Sequence, residues 1–438
     1  MTTETSPQTP ATRRGWLVTF AGTGINLALG VLYAWSIFKG AIQKDFGWEA
    51  ASLNDPYSVC CLVFAFSMIL AGRCQDKFGP RLTAFVGGLL VGLGFFVASR
   101  TTGYWSWVIG FGGLAGMGIG FGYSSATPPA LKWFPPARTG LIAGLVVAGF
   151  GLASVYIAPL SKHLLATRGV LPAMQFYSVA FLIVVCGLSL LLANPPPGYV
   201  AASSGPGISP VSGRREARPA LSATPTEMLR TPTFYLLWVI YFIGAGAGLM
   251  VISSLSGMAT KSLGGAAFVA VAVLAIGNAA GRILAGILSD KIGRRWTLML
   301  VLLIQAALMF IAIPVTAAKD TAAVVIVLVA ALIGANYGAN LSLFPSFTKD
   351  LWGLKSFGVN YGLVFTAWGV GGFVLSRWQQ MLTSRSGGSY TSSFLTAGVL
   401  LLVGAGLTLL LKPKQTTPAP VAAGSAPGER RGEAASVK

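Results

Sequence analysis

The chain has 438 residues, 54% of them hydrophobic and only 10% charged, with a mean hydropathy of +0.71; soluble domains carry roughly a quarter charged residues. Its apolar residues come in blocks of about 20, the length that crosses a bilayer as a helix, so a water-soluble domain is excluded. The net charge of +19 does not imply nucleic acid, because most basic residues fall in loops on one side of the spans, the positive-inside pattern.

In chain order, residues 1–15 are a short tail in which Arg13 and Arg14 anchor the first span rather than form a twin-arginine export signal. Spans are predicted at 16–38, 56–74, 82–99, 104–127, 139–163 and 172–193. Glycines in "GFGGLAGMGIGFGY" (110–123) have no strand or ribose-binding acid nearby. They read as close helix packing and not as a dinucleotide loop. His163 stands near the outer end of the fifth span. Residues 195–232, rich in Pro, Ser, Gly and Arg, read as a flexible cytoplasmic linker. Six more spans are predicted at 233–260, 266–288, 296–317, 321–347, 357–382 and 391–411, before an Ala/Pro/Gly-rich tail (413–438) expected to be disordered. The expected fold is all-α: 12 transmembrane helices in two six-helix bundles (16–194 and 233–412), with both termini cytoplasmic. Cys60, Cys61, Cys74 and Cys186 lack metal-ligand spacing and read as small packing residues. No metal, no cofactor and no nucleophile–base cluster is predicted.

The two halves echo each other. "GRCQDKFGPR" (72–81) and "GILSDKIGRR" (286–295) place Gly72, Asp76, Lys77, Gly79 and Arg81 in register with Gly286, Asp290, Lys291, Gly293 and Arg295. Gly140, Gly144 and Gly151 recur as Gly358, Gly362 and Gly369. Such a repeat implies a pseudo-two-fold along the membrane normal, with a site at midplane between the halves. The glycines permit a tight turn, and the aspartates sit where basic groups or a neighbouring helix N-terminus can receive them. This loop resembles the signature of the major facilitator superfamily.

Arg282 interrupts an otherwise apolar or small-residue run. Counted from Asp290, it lies roughly 12 Å inward, near midplane. A cation there costs at least about 2.5–3.5 kcal/mol, so it should face a cavity or bind a ligand. All twelve Asp and Glu map to loops, tails or span ends. An anionic substrate is therefore the natural counter-ion, and a forked guanidinium suits a carboxylate. Asn278, one turn away on the same face, is placed to orient the arginine.

"GVLYAWSIF" (30–38), "KWFPPARTGLIAGL" (132–145), "EMLRTPTFYLLW" (227–238) and "NYGLVFTAWG" (360–369) resemble the oxalate/formate antiporter family, a neighbour of the proton-linked monocarboxylate transporters. The resemblance covers about residues 16–411. It implies a substrate pocket of Leu32, Tyr33, Tyr123, Phe150, Tyr337, Leu341, Phe365 and Trp368 around Asn278 and Arg282. Trp368 stands where the exchanger has a second cation, a lysine, and Leu32 where it has a glutamine. Asn278 stands where animal monocarboxylate transporters commonly have an aspartate. One cation and a more apolar wall fit a short monocarboxylate such as lactate or pyruvate. The implied activity is secondary transport by alternating access across the cell membrane, proton-coupled, by a monomer in the lipid bilayer. An oxalate/formate-type antiporter and a non-transporting anion sensor are the alternatives.

Overall fold

The computed structural model describes residues 10–411, apart from 50–51, 136–137, 200–222, 254, 256–257, 260–262, 265–266, 318–321 and 388. The centre of the expected linker (200–222) and the tail (413–438) lie outside the described residues, as do residues 1–9. The chain is an all-helical multi-pass membrane protein, with no strand among the described residues. Eleven helices there are long and apolar enough to cross a membrane.

The first half contains α1 (Pro10–Leu29), α2 (Trp35–Phe46), α3 (Asp55–Phe78), α4 (Pro80–Ala98), α5 (Tyr104–Trp107), α6 (Gly116–Trp133), α7 (Thr139–Arg168) and α8 (Val170–Ser189). A short α9 (Pro225–Leu229) precedes α10 (Pro232–Ile252), α11 (Ala267–Ile292), α12 (Arg294–Ala317), α13 (Ala323–Trp352), α14 (Phe357–Arg385) and α15 (Thr391–Thr408).

Two spans differ from the sequence expectation. The first is two helices joined by a 3₁₀ turn, Gly30–Ala34, so the helix face re-aims where Leu32 and Tyr33 sit. The fourth, expected at 104–127, is divided into α5, a π-helical segment (Val108–Ala115) and α6. Glycines and the run Ser124–Pro129 dilute its apolarity, so it is not among the eleven candidate spans.

Within the halves, α1 packs on α6 and α7, α4 on α6 and α8, α10 on α14, and α11 on α13. Between the halves the main contacts pair α3 with α14 and α7 with α11. The repeated glycines make these contacts possible: a Cβ at Gly144 would stand 2.7 Å from the Arg282 carbonyl oxygen, and one at Gly362 would stand 2.8 Å from that of Met68. The pseudo-two-fold is therefore built into backbone contact, not only into sequence.

The repeated loops lock one face. Gly79 (φ 87°) and Gly293 (φ 91°) turn the chain through the left-handed region, where any other residue is strained. Asp290 accepts the backbone N–H groups of Gly140 (3.2 Å) and Leu141 (3.3 Å), in the first turn of α7. Asp76 accepts those of Gly358 and Val359, in the first turn of α14. Each aspartate thus caps a helix of the opposite half, where the positive end of the helix dipole favours it. Gly72 and Gly286 bring the helix backbones together beside these caps, against Gly358 and Gly140. Asp290 also pairs with Arg294 (2.6 Å), which reaches Asp350 (3.1 Å). The remaining loop cations have separate contacts: Arg81 donates to Leu192 O, Arg295 to Leu409 O, and Lys77 lies over the Phe78 ring, while Lys291 is exposed.

On the opposite face a different contact joins the halves. Arg377 of α14 pairs with Asp55 of α3 at 2.9 Å, and the Tyr104 hydroxyl donates to the same carboxylate at 2.8 Å. The "EMLRTPTFYLLW" stretch begins in α9, which starts with a Thr224–Glu227 capping box. There the Thr224 N–H donates to the Glu227 carboxylate (2.7 Å) and holds it below the usual carboxylate range.

Candidate functional site

Helical spacing brings Asn278 and Arg282 together on α11. Both side chains are fully buried, and the Arg282 Nε donates to Asn278 Oδ1 at 2.8 Å. The guanidinium then crosses to the first half. Its Nη1 donates to the carbonyl of Val147 on α7, and its Nη2 to the Tyr33 hydroxyl at 3.4 Å. All three partners are neutral. No carboxylate among the described residues pairs with Arg282. The fork has more N–H bonds than these three contacts use.

From Tyr33 a hydrogen-bonded chain continues into the second half. The Tyr33 and Tyr337 hydroxyls are 2.7 Å apart, and Trp368 Nε1 donates to Tyr337 at 2.8 Å. Proton counting limits this chain. The indole N–H and one guanidinium N–H supply its two ends, and one phenolic hydrogen supplies its middle. The other phenolic hydrogen remains available whichever tyrosine donates. Unused guanidinium donors and a spare phenol beside them make a site that asks for an acceptor, best an anionic one.

The walls are aromatic. Phe64 lies at the centre, with ring centroids 5.1 Å from Phe365, 5.1 Å from Trp368, 5.4 Å from Tyr123 and 5.9 Å from Phe150. Phe150 meets Tyr33 edge-on at 5.1 Å, and Phe365 stacks on Trp368 at 5.0 Å. Such offset and edge-to-face pairs hold rings in defined orientations. The structure therefore brings eight of the ten expected pocket residues into one connected cluster. Leu32 and Leu341 are buried too, with no polar or ring contact that joins them to it.

Several members were not expected from the sequence. Phe64 has no polar signature in the sequence, and the Val147 carbonyl is a group every residue carries. Tyr361 precedes Phe365 by one helical turn and packs on it at 5.7 Å, while Tyr241 approaches the same ring at 6.1 Å. The i, i+4 spacing from Tyr361 to Phe365 was the available signal. His163 is exposed at the far end of α7 and belongs to no part of this cluster. The cysteines are free, with Cys60 and Cys61 buried in α3.

The sequence profile of the Major Facilitator Superfamily matches residues 16–376. The chain is 28% identical to the oxalate:formate antiporter of Oxalobacter formigenes over 77% of either chain. It is 27% identical to monocarboxylate transporter 13 of Bos taurus, over 91% of this chain and 89% of that one. Among solved structures, a variant of the E. coli fucose:proton symporter FucP aligns over 89% of this chain and 98% of its own, with a TM-score of 0.63 and 16% identity. That last likeness is one of fold.

Proposed function

Because this chain belongs to the Major Facilitator Superfamily, we propose that it is a secondary active transporter of short monocarboxylates, lactate- and pyruvate-like, in the cell membrane. The observation that carries this reading is Arg282: a fully buried cation whose partners among the described residues are neutral, with donors to spare. Burying an unpaired charge is expensive, and a carboxylate that takes the fork offsets that cost with charge-assisted bonds. The spare phenolic hydrogen of the Tyr33–Tyr337 pair supplies a further donor.

Charge matching favours a monoanion. Trp368 contributes an N–H already given to Tyr337 and no charge. A dicarboxylate would leave its second carboxylate against Phe64, Phe150 and Phe365, where little would solvate it. Relatives named as a monocarboxylate transporter and as an oxalate:formate antiporter agree with a carboxylate substrate of either kind.

The proposed mechanism is alternating access. Bundles 16–194 and 233–412, with their termini cytoplasmic, rock about Arg282, opening the repeated-loop face and the Asp55–Arg377 face in turn. Proton coupling is assigned to the substrate–arginine complex and its waters, since no acid among the described residues is paired with Arg282. Uptake of labelled lactate into proteoliposomes tests both parts. An inward proton gradient should accelerate it; acceleration by internal anion with no response to the gradient would instead establish exchange. The second reading, an oxalate/formate-type antiporter, is favoured by the 28% identical relative. Strong competition by oxalate would select it and refute the single-cation argument.

A further inference from the structure

Three phenol hydroxyls gather on the repeated-loop side of the anion site. Tyr123 comes from α6, Tyr241 from α10 and Tyr361 from α14, so both halves contribute. Their rings surround Phe365, with centroids 5.4, 6.1 and 5.7 Å from it. They are 2%, 0% and 4% exposed. None of the three hydroxyls makes a well-formed hydrogen bond to a described residue, although Tyr361 lies within longer polar reach of Tyr241 and Tyr123, and Tyr123 of Arg282. They lie close enough to act electrostatically on one another, and Tyr123 and Tyr361 also feel the charge of Arg282.

Packing explains the rings but not the oxygens. Tyr241 stacks on Phe344 at 3.8 Å and Tyr361 on Phe357 at 5.7 Å, contacts that phenylalanine would make equally well. A buried hydroxyl without a well-formed hydrogen bond is destabilising, and three phenols in a row share at most two bonds among themselves, which leaves hydrogen-bonding capacity for an occupant. Phenols offer both donors and acceptors and carry no charge at neutral pH, so a hydroxyl or keto oxygen can pair with them without bringing a second charge into the buried site.

We infer that Tyr123, Tyr241 and Tyr361 form a second subsite that receives an uncharged oxygen, hydroxyl or keto, carried by the substrate beyond the carboxylate held at Arg282. The inference rests on the monocarboxylate reading and sharpens it: hydroxy- and oxo-monocarboxylates are preferred over plain alkanoates of the same length. Tyr241 and Tyr361 become specificity-determining residues, while Arg282 supplies affinity common to all carboxylates.

The test uses the full-length purified protein with Tyr361→Phe and Tyr241→Phe, which remove single oxygens and keep the rings. Binding of lactate, pyruvate and propionate is measured by titration calorimetry. The wild type should bind lactate and pyruvate about tenfold more tightly than propionate, and each variant should lose about tenfold for those two while propionate stays within about twofold. Equal affinity for all three ligands in the wild type would overturn the subsite and leave the Arg282 reading standing. So would equal loss of all three in the variants, the result expected if the hydroxyls hold only water or support the fold. If none of the three binds, both readings fall together.

Discussion

Arg282→Ala separates the functional from the structural role of the buried cation, because the two effects should have opposite signs. A hydrogen bond to a charged group is worth about 1.5–3 kcal/mol, so losing a two-pronged grip on a carboxylate removes about 3–6 kcal/mol. At about 1.4 kcal/mol per tenfold, substrate Kd should rise roughly 10²- to 10⁴-fold. Stability without substrate should move little or upward. The substitution leaves Asn278 Oδ1, the Tyr33 oxygen and the Val147 carbonyl each short of a donor, about 1–3 kcal/mol for each that finds no other. It also removes the desolvation penalty of a fully buried ion that no acid among the described residues pairs with, several kcal/mol. Calorimetric binding and melting temperature with and without lactate read both quantities. The wild type should gain melting temperature with lactate, and the alanine variant should melt at or above the unliganded wild type and gain nothing. Arg282→Lys keeps a charge but not the fork and should recover less than about a tenth of the affinity. An alanine variant that binds within about threefold of wild type would refute the anchor role.

Three further outcomes follow from the same geometry. Tyr337→Phe removes the acceptor of Trp368 Nε1 and the partner of Tyr33, so lactate uptake should fall about tenfold and stability by about 1–3 kcal/mol, read by uptake and urea melts. Gly144→Leu forces a side chain into the Arg282 backbone on α11, where even a Cβ would stand 2.7 Å from the carbonyl oxygen. Spin-label distances between α7 and α11 should lengthen at the repeated-loop face, and transport should stop while expression persists. The Glu227 carboxyl is held below its ordinary value by the Thr224 N–H, so its contribution is present above the unfolded-chain value near about 4.3 and is lost as pH falls through the lowered folded value. Amide exchange in α9 should rise on acidification below that window, and Glu227→Gln should flatten the pH response.

Sequence made some of this visible for definite reasons. A lone arginine among apolar residues stands out, and a four-residue offset places Asn278 on its face without any coordinates. The paired Gly-Asp-Lys-Gly loops announce the repeat because turn geometry and helix capping each demand a particular residue type. What sequence could not supply is identity of partners. Val147 acts through its carbonyl, which every residue has. Trp368 is legible as a missing cation, yet its indole donation to Tyr337 depends on how α13 and α14 pack. Tyr241 and Tyr361 look like any aromatic residue in a span, since the lack of a well-formed hydrogen bond is a property of surroundings. The breaks in the first and fourth spans were hidden too: periodicity registers apolarity, and 3₁₀ and π segments keep it while changing direction.

The asymmetry imposed on a symmetric scaffold bears directly on how binding could be coupled to movement. At matched positions the two halves use the same backbone approach, Gly144 against Arg282 and Gly362 against Met68. Only one of these residues reaches across with charge. Arg282 belongs to α11, yet two of its three bonds go to Val147 and Tyr33 in the first half. A carboxylate on the spare N–H bonds of the same two nitrogens would sit directly beside those cross-half contacts. Met68, which carries no donor, cannot make the equivalent contact on the α3–α14 side. On the proposed function, an anion at this site would act on the α7–α11 interface first, where Asp290 caps α7 on the repeated-loop face. That ordering would place the ligand-sensitive seam on one side of the pseudo-two-fold and the hinge on the other.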